Sequence, residues 1–279
     1  MLLVKRPKAP PGFNRAVQKA RNDIRDIVKA GALRNPPETP TSKQFVDEWS
    51  EFKRFLSEAQ HGRCGYCDNK VLPGDDGTVD HYKPKAEILA LYDDENTWGT
   101  QTLHSASVEG RQQQPVASSG YHWLAYAWSN YVFACRSCNV KWKKGFFPTA
   151  QRPRRCPPRP KGAEEPLLMS CYRSLRPSAH LVFHADGSIE AFEGSRYGYE
   201  TIRTVGLYRE PLRDAREEKT IRTYEALKLY ADGDDAQRQT AINDLRRLGS
   251  AKYVFAGVVR SIVEQILDEP WEDFIGQGS

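Results

Sequence analysis

Four cysteines of this chain fall into two pairs, Cys64-Gly65-Tyr66-Cys67 and Cys135-Arg136-Ser137-Cys138. A two-residue spacer lets both thiolates of a pair reach one ion, and two such pairs complete a tetrahedral set with no open position. The pattern predicts a structural Zn²⁺ on Cys64, Cys67, Cys135 and Cys138. The 67 residues between the pairs exceed the roughly 15–20 of an ordinary zinc ribbon, so a further element must be built between them. Cys156 and Cys171 have no matching spacing and read as free thiols.

Within that interval stands Val79-Asp80-His81-Tyr82-Lys83-Pro84, followed by Trp128-Ser129-Asn130 just before the second pair and Asn139 directly after it. Phosphodiester hydrolysis needs an activated water, neutralisation of charge on the phosphate and help for the leaving oxygen. An imidazole with a pKa of about 6.5 suits a general base, which assigns that role to His81. On an extended segment Asp80 projects the opposite way, so the two side chains need not compete for one partner. The Asp80 carboxylate and the Asn139 amide offer hard oxygen ligands for Mg²⁺ or Mn²⁺. Asn130 is expected to orient the His81 loop by hydrogen bonding. A solitary Asp-His is usually structural; two knuckles and two asparagines in this order make His81, Asp80, Asn130 and Asn139 a candidate catalytic set. His61, His104, His122, His180 and His184 lack such company and read as surface or core histidines.

This set resembles the HNH nucleases of the ββα-metal class, in the subgroup framed by a four-cysteine zinc, with Asn139 where many members carry His. The likeness extends through Lys5-Arg6-Pro7, Pro10-Pro11, CGYC, DHYKPK, YHWLAYAWSNYVFACRSCN and Phe146-Phe147-Pro148. It continues more softly through Leu167-Leu168, His180-Leu181, Asp186-Gly187-Ser188-Ile189, Thr201-Ile202 and Gly206-Leu207-Tyr208-Arg209. Over roughly residues 1–215 the chain is similar to the HNH subunits of bacterial anti-phage systems of the Septu type, some of them retron-linked. The resemblance implies an α+β fold with a small ββα-metal core framed by the zinc. It also implies DNA cleavage during infection and an ATPase partner encoded alongside.

The elements that must hold these residues are partly legible. Residues 13–30 show helical spacing, with Gly31 as a stop, and Asn35-Pro36-Pro37 to Pro40 is a breaker. A second helix is expected from Ser42, with Phe45, Val46, Trp49, Phe52, Phe55 and Leu56 on one buried face. A short strand should enter Asp80-His81. The Gln/Ser-rich stretch 101–120 reads as a surface loop, and Tyr121–Trp128 as a short packed helix. Leu181–Phe192 reads as a hairpin around Asp186-Gly187, and 209–231, 234–248 and 250–268 as three helices. The resulting plan is a basic segment and helix over 1–44, a zinc-framed nuclease domain over 45–150, a basic Pro/Arg linker over 151–166, and a hairpin with helices over 167–279.

Charge and composition narrow the function classes. The net charge is +5, but residues 1–30 carry a local +6 and residues 141–161 a local +8 with no acid. Two cationic blocks on an otherwise acidic chain suit a phosphate-facing strip. Lys83, Lys141, Lys143, Lys144, Arg152, Arg154, Arg155 and Arg159 are the candidate nucleic-acid contacts. The helices over 209–268 are charge-neutral and are poorer candidates for gripping DNA. No run approaches the roughly 20 apolar residues of a membrane span, and the apolar start Met1–Val4 is too short for a secretory signal. With paired cysteines that suit metal in a reducing compartment, a cytoplasmic protein is expected. Two alternatives to a nuclease stay open: a zinc-framed nucleic-acid-binding module that does not cut, and a scaffold subunit whose C-terminal helices dock a partner.

Overall fold

A computed structural model describes residues 1–35, 37–71, 77–91, 113–150, 165–173 and 175–276, with the backbone alone for 90–91 and 113–119. Arg152, Arg154, Arg155, Arg159, Cys156 and His104 lie outside the described residues. The described residues divide into two compact units. One comprises Lys5–Gly62 and Val71–Leu168; the other comprises Met1–Val4, Arg63–Lys70 and Met169–Ser279. The fold is α+β, with helices and small two-stranded sheets.

The first unit opens with α1 (Phe13–Ala16) and α2 (Gln18–Ala32). Gly31 does not stop the helix as expected but lies within it. A Cβ there would sit 2.4 Å from the Glu38 carbonyl oxygen, so the glycine permits close approach of the returning chain. The single helix expected from Ser42 is also replaced. Two 3₁₀ turns, Ser42–Gln44 and Ser50–Phe52, precede α3 (Lys53–Ala59). Gln44 Oε1 accepts from the Thr41 amide at 2.7 Å, and Asp47 accepts from the Ser50 amide at 3.1 Å and its hydroxyl at 2.8 Å. Such local side-chain bonds compete with a continuous helix. The apolar stripe therefore splits: Phe45, Trp49, Phe52 and Leu56 are buried, while Val46 and Phe55 are exposed.

Strand β1 (Gly77–His81) leads directly into the Asp-His pair. Next come β2 (Glu87–Leu91) and β3 (Gln113–Ser119), paired antiparallel with each other. Part of the expected 101–120 loop is thus a strand, because backbone pairing with β2 supplies what the polar side-chain pattern does not advertise; the rest lies outside the described residues. The helix expected over Tyr121–Trp128 is two 3₁₀ turns, His122–Leu124 and Trp128–Asn130. Tyr126 and Trp128 are buried core residues, and Phe13 meets the Trp128 ring edge-on at 5.3 Å.

Strand β4 (Tyr131–Cys135) pairs antiparallel with β1, setting Gly77 opposite Cys135, Asp80 opposite Val132 and His81 opposite Tyr131. A π-helix, Ser137–Lys143, follows almost at once. Two strands and a short helix thereby converge on the residues singled out in the sequence.

The second unit contains the expected hairpin, β5 (Leu181–Phe183) with β6 (Ile189–Ala191). Gly187 turns it at φ +75°, and a side chain there would strike the Arg213 carbonyl oxygen at 2.3 Å. Five helices complete the unit: α4 (Arg196–Val205), α5 (Glu210–Asp232), α6 (Asp235–Leu248), α7 (Ala256–Leu267) and α8 (Trp271–Gly276). A capping box of Asp234 and Gln237 starts α6. Asp68 accepts from the Gly257 amide at 2.7 Å at the start of α7 and pairs with buried Arg63 at 3.3 Å. Burial raises the Asp68 pKa above the usual carboxylate range, against the opposing pull of Arg63. No helix among the described residues is long and apolar enough to cross a membrane.

Candidate active site and metal centre

The ligand atoms of Cys64, Cys67, Cys135 and Cys138 all lie within 4.8 Å of one another. Three of the cysteines are buried and Cys135 is half-buried. Four thiolates bonded to Zn²⁺ at about 2.3 Å would stand about 3.8 Å apart, so a small contraction closes the set. Backbone hydrogen bonds close both knuckles, and in the second one an amide reaches a sulfur. The Cys138 amide donates to Cys135 Sγ at 3.4 Å, and the Asp68 amide donates to the Cys64 carbonyl at 3.0 Å. The amide on Cys135 Sγ suits a thiolate, and the cluster can hold a zinc ion. Cys171 is buried in the second unit and forms no disulfide.

A cavity of about 230 Å³ brings Asp80, His81 and Asn139 together, with Lys85, Lys144 and Trp49 also in its wall. Asp80 is 3% and His81 7% exposed, so both face the cavity rather than open solvent. His81 Nε2 lies 2.8 Å from the Ala125 carbonyl oxygen, which also accepts from the Tyr131 hydroxyl at 2.8 Å. A carbonyl oxygen can only accept, so Nε2 carries the hydrogen and the lone pair of the neutral ring sits on Nδ1. Desolvation, joined by the positive charge of Lys85 and more weakly of Lys143, pushes His81 well below its ordinary pKa. The ring is therefore neutral at pH 7. Trp49 packs edge-on against it, with centroids 4.5 Å apart.

Asn130 is buried outside the cavity wall, and its side chain binds the backbone just beyond His81. Its Oδ1 accepts from the Lys83 amide at 2.9 Å, and its Nδ2 donates to the Lys83 carbonyl at 2.9 Å. The Asn130 carbonyl accepts from the Tyr82 amide at 2.8 Å. Asn139 donates from Nδ2 to Thr78 Oγ1 at 2.9 Å, which identifies its Oδ1 as the atom able to ligate a cation. The π-helix register is set here, since the Lys144 amide donates to the Asn139 carbonyl five residues back at 2.8 Å.

The candidate phosphate contacts separate. Lys141 and Lys144 are exposed, and Lys144 reaches the cavity. Lys83 instead lies over the Tyr121 ring, 4.7 Å from its centroid, away from the cavity wall. Lys143 requires a correction: it is fully buried and offers no surface to a phosphate. Its ammonium stands 3.1 Å from Asp80 Oδ1 and 2.9 Å from the His81 carbonyl oxygen. Desolvating a charge is tolerable only with such partners, so the residue type that signals nucleic acid on a surface here compensates a buried carboxylate. Replacing it by a neutral side chain of similar length, Lys143→Met, is expected to destabilise the protein by about 3 kcal/mol through loss of the buried ion pair with Asp80. A denaturant titration of the variant checks this.

Three further residues at the site are not among the candidate site residues of the sequence: Trp49, Thr78 and Lys85. Lys85 has its ammonium 4.2 Å from the Trp49 ring centroid, and burial lowers its pKa despite the opposing charges of Asp80 and Asp47. Its signal in the sequence is its place as the last residue of the DHYKPK run, two residues after Lys83.

No family model matches the chain. It is 31% identical over 166 residues to "Septu protein PtuB" of Bacillus mycoides (strain KBAB4), an alignment that covers 59% of this chain and 49% of that protein. The chain spans about half the length of this curated relative. With its four-cysteine cluster and α+β architecture, the chain is thus similar, over more than half its length, to a Septu protein.

Proposed function

We propose that this chain is a metal-dependent HNH endonuclease that hydrolyses phosphodiester bonds of DNA as the nuclease effector of an anti-phage defence complex. The observation that carries the reading is the cavity shared by Asp80, His81 and Asn139. Asp80 and Asn139 Oδ1 form an oxygen donor set that suits Mg²⁺ or Mn²⁺. A divalent ion held there would neutralise phosphate charge and stabilise the leaving oxygen. His81, fixed through Nε2 by the Ala125 carbonyl, receives a proton from water at Nδ1. Asn130 positions the His81 segment by clamping the Lys83 backbone. Lys141 and Lys144 extend a cationic surface for the strand, in keeping with the basic block that continues to Lys161.

The defence role rests on the likeness to a Septu protein, and the ATPase partner on the family resemblance in the motifs. The pairing of Asp80 with Lys143 favours a second reading, a zinc-framed nucleic-acid binder in which Asp80 is a structural counter-ion. A plasmid-nicking assay separates the two. Wild type is expected to nick with Mg²⁺ or Mn²⁺ and to stop with chelator, and Asn139→Ala to lose activity at least tenfold. Plasmid bound but never nicked with either ion would leave the binder.

A further inference from the structure

The cavity holds a cation that the roles above do not use. Lys143 is cancelled by Asp80, and Lys144 at the exposed rim shares the wall with Glu87. Lys85 differs from both. Among the described residues its ammonium makes no hydrogen bond and no ion pair within 4 Å; the carboxylates of Asp80 and Asp47 act on it only from further away, and the ring faces beside it are Trp49 at 4.2 Å and Phe45 at 5.8 Å. An aromatic face attracts a cation but takes none of its three N–H donors. A half-buried ammonium with idle donors, in the wall beside Asp80, His81 and Asn139, is prepared for an anion entering from the cavity. Trp49 supports this cation and the His81 ring at once, so the two groups keep a fixed separation.

We propose that Lys85, seated on Trp49, grips a backbone phosphate of the nucleic-acid strand bound at this site. The inference rests on the nuclease reading for its substrate class, but it concerns binding and is testable without cleavage. Its contribution is one phosphate contact made inside the cavity, whereas Lys141 and Lys144 act at the surface.

The experiment measures duplex DNA affinity against salt concentration, with no divalent ion added, for the full chain carrying its zinc. Lys85→Met is expected to flatten the slope of log K against log salt by about one unit. Lys85→Arg should keep the slope, and Lys228→Met, which removes an exposed charge on α5, should leave it unchanged. If Lys85→Met loses its zinc or its folded circular dichroism, Lys85→Gln is read in its place. A wild-type slope in the neutral variant, alongside normal nicking by wild type, overturns the role of Lys85 and leaves the nuclease standing. A flattened slope with no nicking by wild type supports the grip and removes the nuclease. Absence of any DNA binding by wild type defeats both.

Discussion

Replacing any one of Cys64, Cys67, Cys135 and Cys138 by Ser is expected to unfold the region 60–148 and abolish whatever the site does. The reason is both energetic and geometric. Apparent binding free energies of structural zinc run to about 10–16 kcal/mol, comparable with or above the roughly 5–15 kcal/mol that stabilises a whole domain. Cys135 ends β4 directly opposite Gly77, the start of β1, and Cys138 sits within the π-helix. The strand carrying Asp80 and His81 and the helix carrying Asn139 are both anchored next to the metal. Loss of one thiolate should therefore release the site residues together. Metal analysis should find one Zn²⁺ per wild-type chain, and the serine variants should lose near-ultraviolet circular dichroism. A zinc-free protein with its fold intact would overturn the assignment.

His81→Ala is expected to lower strand cleavage by about 10²–10⁴-fold while DNA affinity stays within about twofold. The side chain is neutral at pH 7, so its removal takes away no phosphate-binding charge. Removing the ring also empties space against Trp49 and Tyr131, whose rings meet it at 4.5 and 5.2 Å. His81→Gln is the companion variant, because its amide nitrogen can take the place of Nε2 toward the Ala125 carbonyl and it fills more of that space. Both should bind DNA and neither should cut. Cleavage by His81→Ala at the wild-type rate would mean that the base is another group.

The histidine and the cysteines differ in how they became legible. Two thiolates separated by two residues can meet one ion because of local chain geometry alone, so the spacing specified each pair, while the meeting of the two pairs within 4.8 Å belongs to the fold. The order of Asp80-His81, Asn130 and Asn139 around the knuckles was likewise readable, as were the β5–β6 hairpin and three of the C-terminal helices. Those helices carry strong periodicity with capping and breaking residues at their ends, which act over a few positions. The apolar spacing from Ser42 onward points to one helix, because it conceals the side-chain bonds of Gln44 and Asp47 to the backbone that break the segment into 3₁₀ turns.

What only the tertiary structure decided is the identity of partners distant in sequence. Ala125 selects the His81 tautomer from 44 residues away, and Lys143 neutralises Asp80 from 63 residues away. Lysine in a basic run looks alike whether it faces solvent, a phosphate or a buried carboxylate. Desolvation distinguishes these cases, and it depends on how the whole chain packs. Lys143, Lys144 and Lys85 accordingly take three different positions: one enclosed against Asp80, one exposed at the rim, and one half-buried on the face of Trp49.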